Sequence, residues 1–488
     1  MIRSRGLLMA ATVGVAAIAG AQAPFDLDPS FETTINHGGV SSVAVLDDGD
    51  VLVSGDIRYG TLSEWLLVRL NPDGNRDINW PDISPPGGGK LVPWTDRYYV
   101  AVGQGVNRIW PDGTTDYGFH GFEDDPYIHI LQGGDYHVFP DGRLVITGTH
   151  ALYDSIRGFV GLYNLIWITA DGRLDTTRVH RRGNGDLDTI LELADGSFMI
   201  SGGLTEYEGH PVGDIIRVFA DGSLDTTFHS TVDWFWPFTY LPLPDGKVLC
   251  GGTMHFAGIP DTLNLVRLLP DGTLDPTFEN STDYRSSFNS SGSGGVASIT
   301  PYQADRYIVT GYFDSVNGEQ RGGIALVDTA GHLVDDLFNG GGCGTFWNGF
   351  NTVGGINGLV PAPDGSFYIH GSYHGYNDGT TNDVYQRMVS RLYGLDVGVE
   401  EEPVQAGAIL SLAPNPATDL IRVNFPTGAG AVNNLEVLDI TGQLVLSARP
   451  TGQSAVLNVA DLRSGVYFVR LITAGAVYPA SRFEVLPH

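Results

Sequence analysis

The stretch VRLLPDGTLDPTF, residues 266–278, carries Asp271 and Asp275 four apart, with Gly272 directly after the first. Two carboxylates at such spacing can hold a hard cation or divide acid and base roles between them. Oxygen ligands also crowd NDGTTND (377–383) and NGDLD (184–188), although neither reproduces the D-x-[DN]-x-[DN]-G calcium loop. Calcium is the one metal these runs admit, and no other cofactor is expected. His370 and His374 are four apart, but in a strand-loop context rather than on a helix, where that spacing would reliably join two metal ligands. Cys343 lies in GGGCGTFWNG, a glycine-rich loop by sequence; as a nucleophile it lacks an indicated histidine partner. The chain contains no H-E-x-x-H, G-x-S-x-G or P-loop motif.

The paired aspartates must be judged against their recurrence. The opening phrase returns at 68–80, 107–119, 167–179, 216–228 and 325–338, for instance as IRVFADGSLDTTF. It alternates with a second phrase, apolar-x-x-D-G-x-apolar-apolar-x-G, seen in LPLPDGKVLCGG (241–252) and LVPAPDGSFYIHG (359–371). The glycines ending that phrase, Gly55, Gly103, Gly148, Gly202, Gly251, Gly311 and Gly371, are separated by 48, 45, 54, 49, 60 and 60 residues. A period of roughly 50 is the length of a four-stranded propeller blade. P-D-G between apolar runs is a turn: proline fixes φ, aspartate bonds nearby backbone and glycine accepts positive φ. The second aspartate is expected to shape the exit from each unit. The last repeat stops at VSRL (389–392) without L-D-x-x-F, whereas LDPSF (27–31) stands near the N-terminus without a preceding V-R-L. Such complementary ends suit a ring closed by both termini.

Composition sets the outer limits. At 488 residues the chain exceeds one ordinary core, and its 66 glycines suit many tight turns. Twenty-seven basic against 56 acidic residues give a net charge of −29, which repels phosphate backbones, so nucleic acid is not an expected partner. Cys250 and Cys343 are too few for a disulfide framework and read as buried, unpaired thiols. Arg3 and Arg5, the apolar run Leu7–Ala19 and small residues after it form a secretory signal peptide. Cleavage between Ala21 and Gln22 is preferred over a cut after Ala23, which would leave Pro24 at the scissile bond. No transmembrane segment is expected, since no later run is comparably apolar.

The two phrases resemble the delta-60 repeat family of β-propellers over about residues 27–395, with the closest copies at 191–278. That resemblance implies a surface or secreted propeller, without an assigned reaction. After the acidic linker 396–408 the character changes. IRVNF (421–425) alternates, LEVLDITGQLVLSA (435–448) reads as a hairpin around Thr441-Gly442, and GVYFVRLI (465–472) as a central strand. This tail resembles the type A C-terminal sorting domain of the type IX secretion system. The match rests on L-A-P-N-P (412–416), with Pro414, Asn415 and Pro416; on L-D-I-T-G-Q (438–443); and on D-L-R-S-G-V-Y-F-V-R-L (461–471), with Gly465, Val466 and Tyr467. Ala413 stands where the family commonly has an aromatic residue. The resemblance implies export through the outer membrane, by way of the periplasm, to the medium or the cell surface.

The expected architecture is therefore all-β. A seven-bladed β-propeller (22–395) follows the signal peptide (1–21), and a small immunoglobulin-like β-sandwich (409–488) follows the linker. Function is sought in the loops between the second and third strands of each unit, which vary most in length. Tyr153, Tyr207, Phe256 and Tyr376 each lie five residues beyond a terminal glycine. They either stack on a glycan or grip a protein ligand, or else pack over neighbouring blades. The favoured reading is a non-catalytic binding or adhesion module; the alternatives are an extracellular hydrolase or lyase acting at the propeller axis, and a structural component of an extracellular layer.

Overall fold

The computed structural model describes residues 23–486 except 60–63, 81–86, 104, 122–124, 395–409, 426–431, 440–443, 451, 453, 461 and 474–480. The cleavage site at Ala21 and Gln22, the 396–408 linker and the Thr441-Gly442 turn lie outside the described residues. The chain divides into two compact units, Met1–Asp396 and Val397–His488. Among the described residues every regular element is a β-strand.

In the first unit the main antiparallel sheets are meanders of three or four strands, within 37–70, 88–109, 128–168, 189–218, 232–268, 296–334 and 356–392. They are called the first to the seventh sheet below. Each D-G phrase makes a reversal. At Leu269–Gly272 the Gly272 amide donates to the Leu269 carbonyl (2.9 Å), and Asp271 Oδ1 accepts from the Thr273 amide and hydroxyl (3.0 and 2.7 Å). Gly272 takes φ +90°, and a Cβ there would lie 2.8 Å from the His229 carbonyl carbon, so only glycine fits. A four-stranded blade calls for a further strand at LDPTF (274–278), but this is reduced to one bridge between Leu268 and Leu274. Asp275 turns the chain there, and Pro276 has no amide to extend a ladder.

Neighbouring sheets share apolar clusters. Leu52 and Leu67 of the first pack with Val100 and Ile109 of the second; Leu249 and Leu265 of the fifth pack with Val309 and Val327 of the sixth. The series returns on itself, because Val40, Val53 and Val68 of the first sheet share a cluster with Tyr368, Met388 and Val389 of the seventh. The segment at 25–31 completes the seventh sheet through a bridge between Leu27 and Leu392.

The second unit has two sheets. One contains Ser411–Ala413, Leu420–Asn424 and Ser454–Asn458; the other contains Val432–Leu438, Leu444–Ala448, Gly465–Thr473 and Ser481–Val485. Ile421 and Val423 of the first sheet meet Leu435, Val469, Leu471 and Phe483 of the second in one buried cluster. Arg422, between the two inward residues, is exposed. Gly465–Thr473 is an interior strand, paired on both sides. Asn415, flanked by Pro414 and Pro416, joins the sorting motif to the last strand: its Oδ1 accepts from the Glu484 amide (3.0 Å) and its Nδ2 donates to the Arg482 carbonyl (3.1 Å). Gly465 and Val466 open the interior strand, while Tyr467 is buried and donates to the Arg463 carbonyl (2.8 Å).

Candidate functional site

Strand direction sorts the connections of the propeller unit into two rims. Both D-G phrases reverse the chain at one rim, while the loops between second and third strands, and those leading to the next sheet, lie at the other.

The D-G rim is occupied by structure. Arg267 Nε donates to Asp275 Oδ2 (2.8 Å), and its Nη1 reaches the Thr329 carbonyl in the next sheet's turn (2.8 Å). Arg217 does the same with Asp225 (2.7 Å) and Pro270 (2.9 Å), and Arg108 with Asp116 (2.6 Å) and Ala170 (2.8 Å). Phe278, Phe228 and Phe119 lie beneath these guanidinium groups, 4.8–5.3 Å from ring centre to carbon. Burial pushes the Asp275 carboxyl up, but hydrogen bonds from Thr277, Lys247 and Arg267 together hold it well below the usual carboxylate range. The paired aspartates are thus a turn and an inter-sheet clasp rather than a metal or catalytic pair.

The seventh sheet makes its clasp with the N-terminal segment. Arg391 Nη1 lies 3.1 Å from Asp28 Oδ2, while Asp28 Oδ1 accepts from the Ser30 amide and hydroxyl (2.9 and 2.6 Å) and from the Tyr393 hydroxyl (2.9 Å). The Glu32 amide then donates to the Asp73 carbonyl of the first sheet's turn (3.1 Å). VSRL and LDPSF together rebuild the phrase that each lacks alone.

At the opposite rim the structure corrects several sequence expectations. Tyr207, Phe256 and Tyr376 are buried in separate clusters, each at 1% exposure or less, so none presents a face to a ligand. Tyr207 instead donates to the Gly222 carbonyl (2.8 Å). Phe256 and Tyr376 lie near the ends of long second strands, Val248–Phe256 and Phe367–Asn377, and Tyr207 lies in a separate short strand, Glu206–Tyr207; each faces the core, a direction that loop spacing does not reveal. Tyr153 alone is exposed, at 56%, opposite Val160 on an extended hairpin of the third sheet. Cys343 belongs to a short strand, Gly342–Cys343, paired with Phe367–Asn377, and not to a free loop. Both thiols are free and buried, and burial pushes that of Cys343 up to about 12.

The histidine pair is likewise structural. His370 Nδ1 is 3.3 Å from the Val40 carbonyl, and His374 Nε2 is 3.1 Å from that of Asn36, with its ring stacked 4.0 Å from Phe346. Burial lowers both to about 4, so both rings are neutral. In the oxygen-rich runs, Asp378 accepts from the amides of Leu27, Thr380 and Thr381, and Asp186 from Thr149 and Gln132. Among the described residues no group of three or more histidine, cysteine, aspartate or glutamate side chains is arranged to hold a metal.

Two cavities open at this rim. One, of about 600 Å³ between the fourth and fifth sheets, is lined by charged or titratable groups that include Asp214, Asp233, His210 and His229. The other, of about 540 Å³, lies where the fifth, sixth and seventh sheets meet. Its walls come from 286–290, from 351–354, and from Thr253, Tyr312 and Ser372, which follow the terminal glycines. Asp314 fixes the 286–290 wall by accepting from the Ser287 amide (2.8 Å) and hydroxyl. Tyr312 reaches Asn357, whose Nδ2 donates to the Val40 carbonyl (2.6 Å) and so ties this wall to the first sheet. Asn351–Gly354 belong to a small hairpin, Phe346–Trp347 paired with Thr352–Val353, whose reversal is held by Asn348 Oδ1 accepting from the Phe350 and Asn351 amides (2.9 and 3.0 Å). Periodicity marks only Thr253, Tyr312 and Ser372, because the remaining walls lie in segments that do not repeat.

Residues 411–479 match the secretion system C-terminal sorting domain, and residues 46–77, 193–228 and 243–278 match a β-propeller domain of unknown function. No curated protein matches the chain. Among solved structures, it is similar to PorZ, a surface component of the type IX secretion system of Porphyromonas gingivalis, at 14% identity and a TM-score of 0.33 over 92% of this chain. It is also similar to the extracellular domain of the one component system BT4673 from B. thetaiotaomicron, at 10% identity and a TM-score of 0.39 over 94% of this chain. The chain spans 66% and 60% of the lengths of those two structures. A third is regucalcin, a calcium-binding protein of Agrobacterium tumefaciens, at 13% identity and a TM-score of 0.32 over 64% of this chain and 96% of that one. The tail directs the chain through type IX secretion to the cell surface or extracellular space. The chain is an all-β protein in which a β-propeller of the delta-60 type of repeat precedes a C-terminal sorting domain of that secretion system.

Proposed function

We propose that the chain is a non-catalytic binding module, displayed at the cell surface or released from it, that takes a glycan or protein ligand at the rim opposite its D-G turns. In this reading the sheets within 37–392 are the seven blades of one ring, residues 22–395 form the propeller, and 409–488 form an immunoglobulin-like sorting domain reached through a linker at 396–408. The observation that carries it is the ligand-sized cavity among non-repeating loops, in a chain whose tail routes it outside the cell. The test has two parts. Deleting 409–488 should leave the protein in the periplasm, and normal secretion of that deletion contradicts the sorting role. The secreted protein, immobilised and exposed to saccharide arrays and solubilised surface proteins, should retain a ligand that full-length variants altered at the loop rim lose. Retention of nothing, or of ligands indifferent to the rim, refutes the binding role.

The hydrolase or lyase reading has one residue in its favour. Asp188, at the start of the fourth sheet's inner strand, reaches water, yet the surrounding protein desolvates it and the Asp186 charge adds to the effect, so its carboxyl is raised. A raised carboxyl is the form a general acid takes. Glycosidase and lyase activity on surface polysaccharides, abolished in Asp188→Asn, would establish this reading; no turnover by the secreted protein would dismiss it.

A further inference from the structure

The cavity between the fifth, sixth and seventh sheets differs from the rest of the surface in one respect. The chain has 27 basic and 56 acidic residues, yet none of the residues lining this cavity carries a charge. Serine, threonine, asparagine and tyrosine dominate the lining, with Phe288 among them. Such walls offer hydroxyl and amide groups that both donate and accept, without an ion that would select a charged ligand. The overall negative charge works further against an anion.

Two details point to a ligand. Ser286 is 1% exposed, lines the cavity, and its hydroxyl has no hydrogen-bond partner among the described residues. Its amide is satisfied by the Gly292 carbonyl (3.2 Å), so the hydroxyl alone is left over. A buried hydroxyl without a partner costs stability unless something supplies one. The second detail is an aromatic flank. Trp347 pairs directly across the small hairpin with Thr352, and cross-strand partners project to the same side. Thr352 lines the cavity, and Trp347, 61% exposed, is its cross-strand neighbour. The root of that hairpin is held by the stack of Phe346 on His374, which leaves Trp347 free of a core role.

Resting on the binding role above, we propose that this cavity is a binding site for a neutral saccharide, with Ser286 as a hydrogen-bonding group and Trp347 as the stacking platform. Sugar rings combine hydroxyl groups around the edge with an apolar C–H face. The lining and the tryptophan answer those two surfaces in turn. A peptide is the less suitable occupant, because the free edge among the described lining, that of Thr352–Val353, is only two residues long and too short for sustained main-chain pairing.

The full-length protein should be titrated calorimetrically with neutral hexasaccharides (α- and β-glucans, a mannan fragment and a chitin fragment) and with acidic ones (hexagalacturonate and a hyaluronan fragment). At least one neutral probe should bind. Trp347→Ala should weaken it about tenfold or more, and Ser286→Ala about two- to tenfold, the range of one neutral hydrogen bond. Neither variant should lower the melting temperature, since one side chain is exposed and the other removes an unpaired hydroxyl. Thr352→Asp, which places a charge in the wall, should abolish binding. Binding of acidic probes only, or neutral binding unchanged in all three variants, overturns the proposal but leaves a surface binding module standing. No binding of any saccharide also overturns it, and the protein-ligand version of the binding role is then decided by the surface-protein capture alone.

Discussion

Replacing Asp28 by alanine tests whether the N-terminal segment closes the propeller as an internal phrase would. Asp28 is 2% exposed and accepts three hydrogen bonds, from Ser30 twice and from Tyr393, in addition to its ion pair with Arg391. Hydrogen bonds to a charged acceptor contribute about 1.5–3 kcal/mol each net of water, and water replaces part of the two from Ser30, which is exposed. Arg391 keeps Asp364 as a partner, which limits the loss. A net local cost of about 3–4 kcal/mol follows, or two to three decades in an opening equilibrium. The same substitution at Asp275 removes a comparable set, from Thr277, Arg267 and Lys247. Asp275, however, lies in the interior of the described chain, after the strand Leu263–Leu268, whereas the segment at 25–31 stands at the start of the described residues. Hydrogen exchange read by mass spectrometry should therefore show residues 23–36 exchanging about a hundred- to a thousandfold faster in Asp28→Ala, with the other sheets little changed. Asp275→Ala should show no such confined release. A cycle with Arg391→Ala should give a coupling of about 1–3 kcal/mol. Exchange at 23–36 accelerated less than tenfold, or effects additive within about 0.5 kcal/mol, would refute the clasp.

Further outcomes follow from named groups. His370 is neutral in the fold at about 4 but titrates near 6.5 when unfolded, so the unfolded chain binds the extra proton first as pH falls. Its contribution, about 3 kcal/mol, is intact above about pH 6.5 and lost progressively down to about pH 4; urea midpoints across that window should flatten in His370→Gln, and an unaltered slope argues against a neutral ring. Cys343, with its thiol pushed up to about 12, should react with iodoacetamide at pH 7.5 about a thousandfold more slowly than an ordinary thiol, and rapid labelling of the native protein would contradict its burial. Gly272→Ala should cost more than Gly258→Ala. Both take positive φ, but only the first would drive a Cβ into the His229 backbone, so equal melting temperatures would undo that argument.

The repeated part of the molecule was legible in the sequence because its physics is local. Asp271-Gly272 can be read as a turn from five residues, and the split of VSRL from LDPSF follows from counting copies. The partner of Asp275 was within reach as well, since an arginine stands eight residues before the aspartate at 108, 217 and 267. What the local pattern does not carry is the direction of a side chain beyond the repeated phrase. Tyr207, Phe256 and Tyr376 keep the spacing of loop residues, yet the core takes them in. The cavity is harder still, because Ser286, Tyr312 and Thr352 come from three unrelated segments and meet only when the sixth and seventh sheets pack.

The hydrogen bond from Tyr393 to Asp28 spans 365 residues. Bringing together ends that far apart costs about 5 kcal/mol of chain entropy if nothing between them is yet ordered. The cost falls only as the intervening sheets assemble. An early part of the described chain therefore makes a late contact: residues 25–31 leave the ribosome long before 389–393 and must wait for them before they have a place to settle. Until then the assembly is an arc with an unpaired edge at the seventh sheet, open to any strand that arrives. Ring closure is a timing problem as much as a stability problem, and a chain cut short before Arg391 would have an N-terminal segment with nowhere to dock.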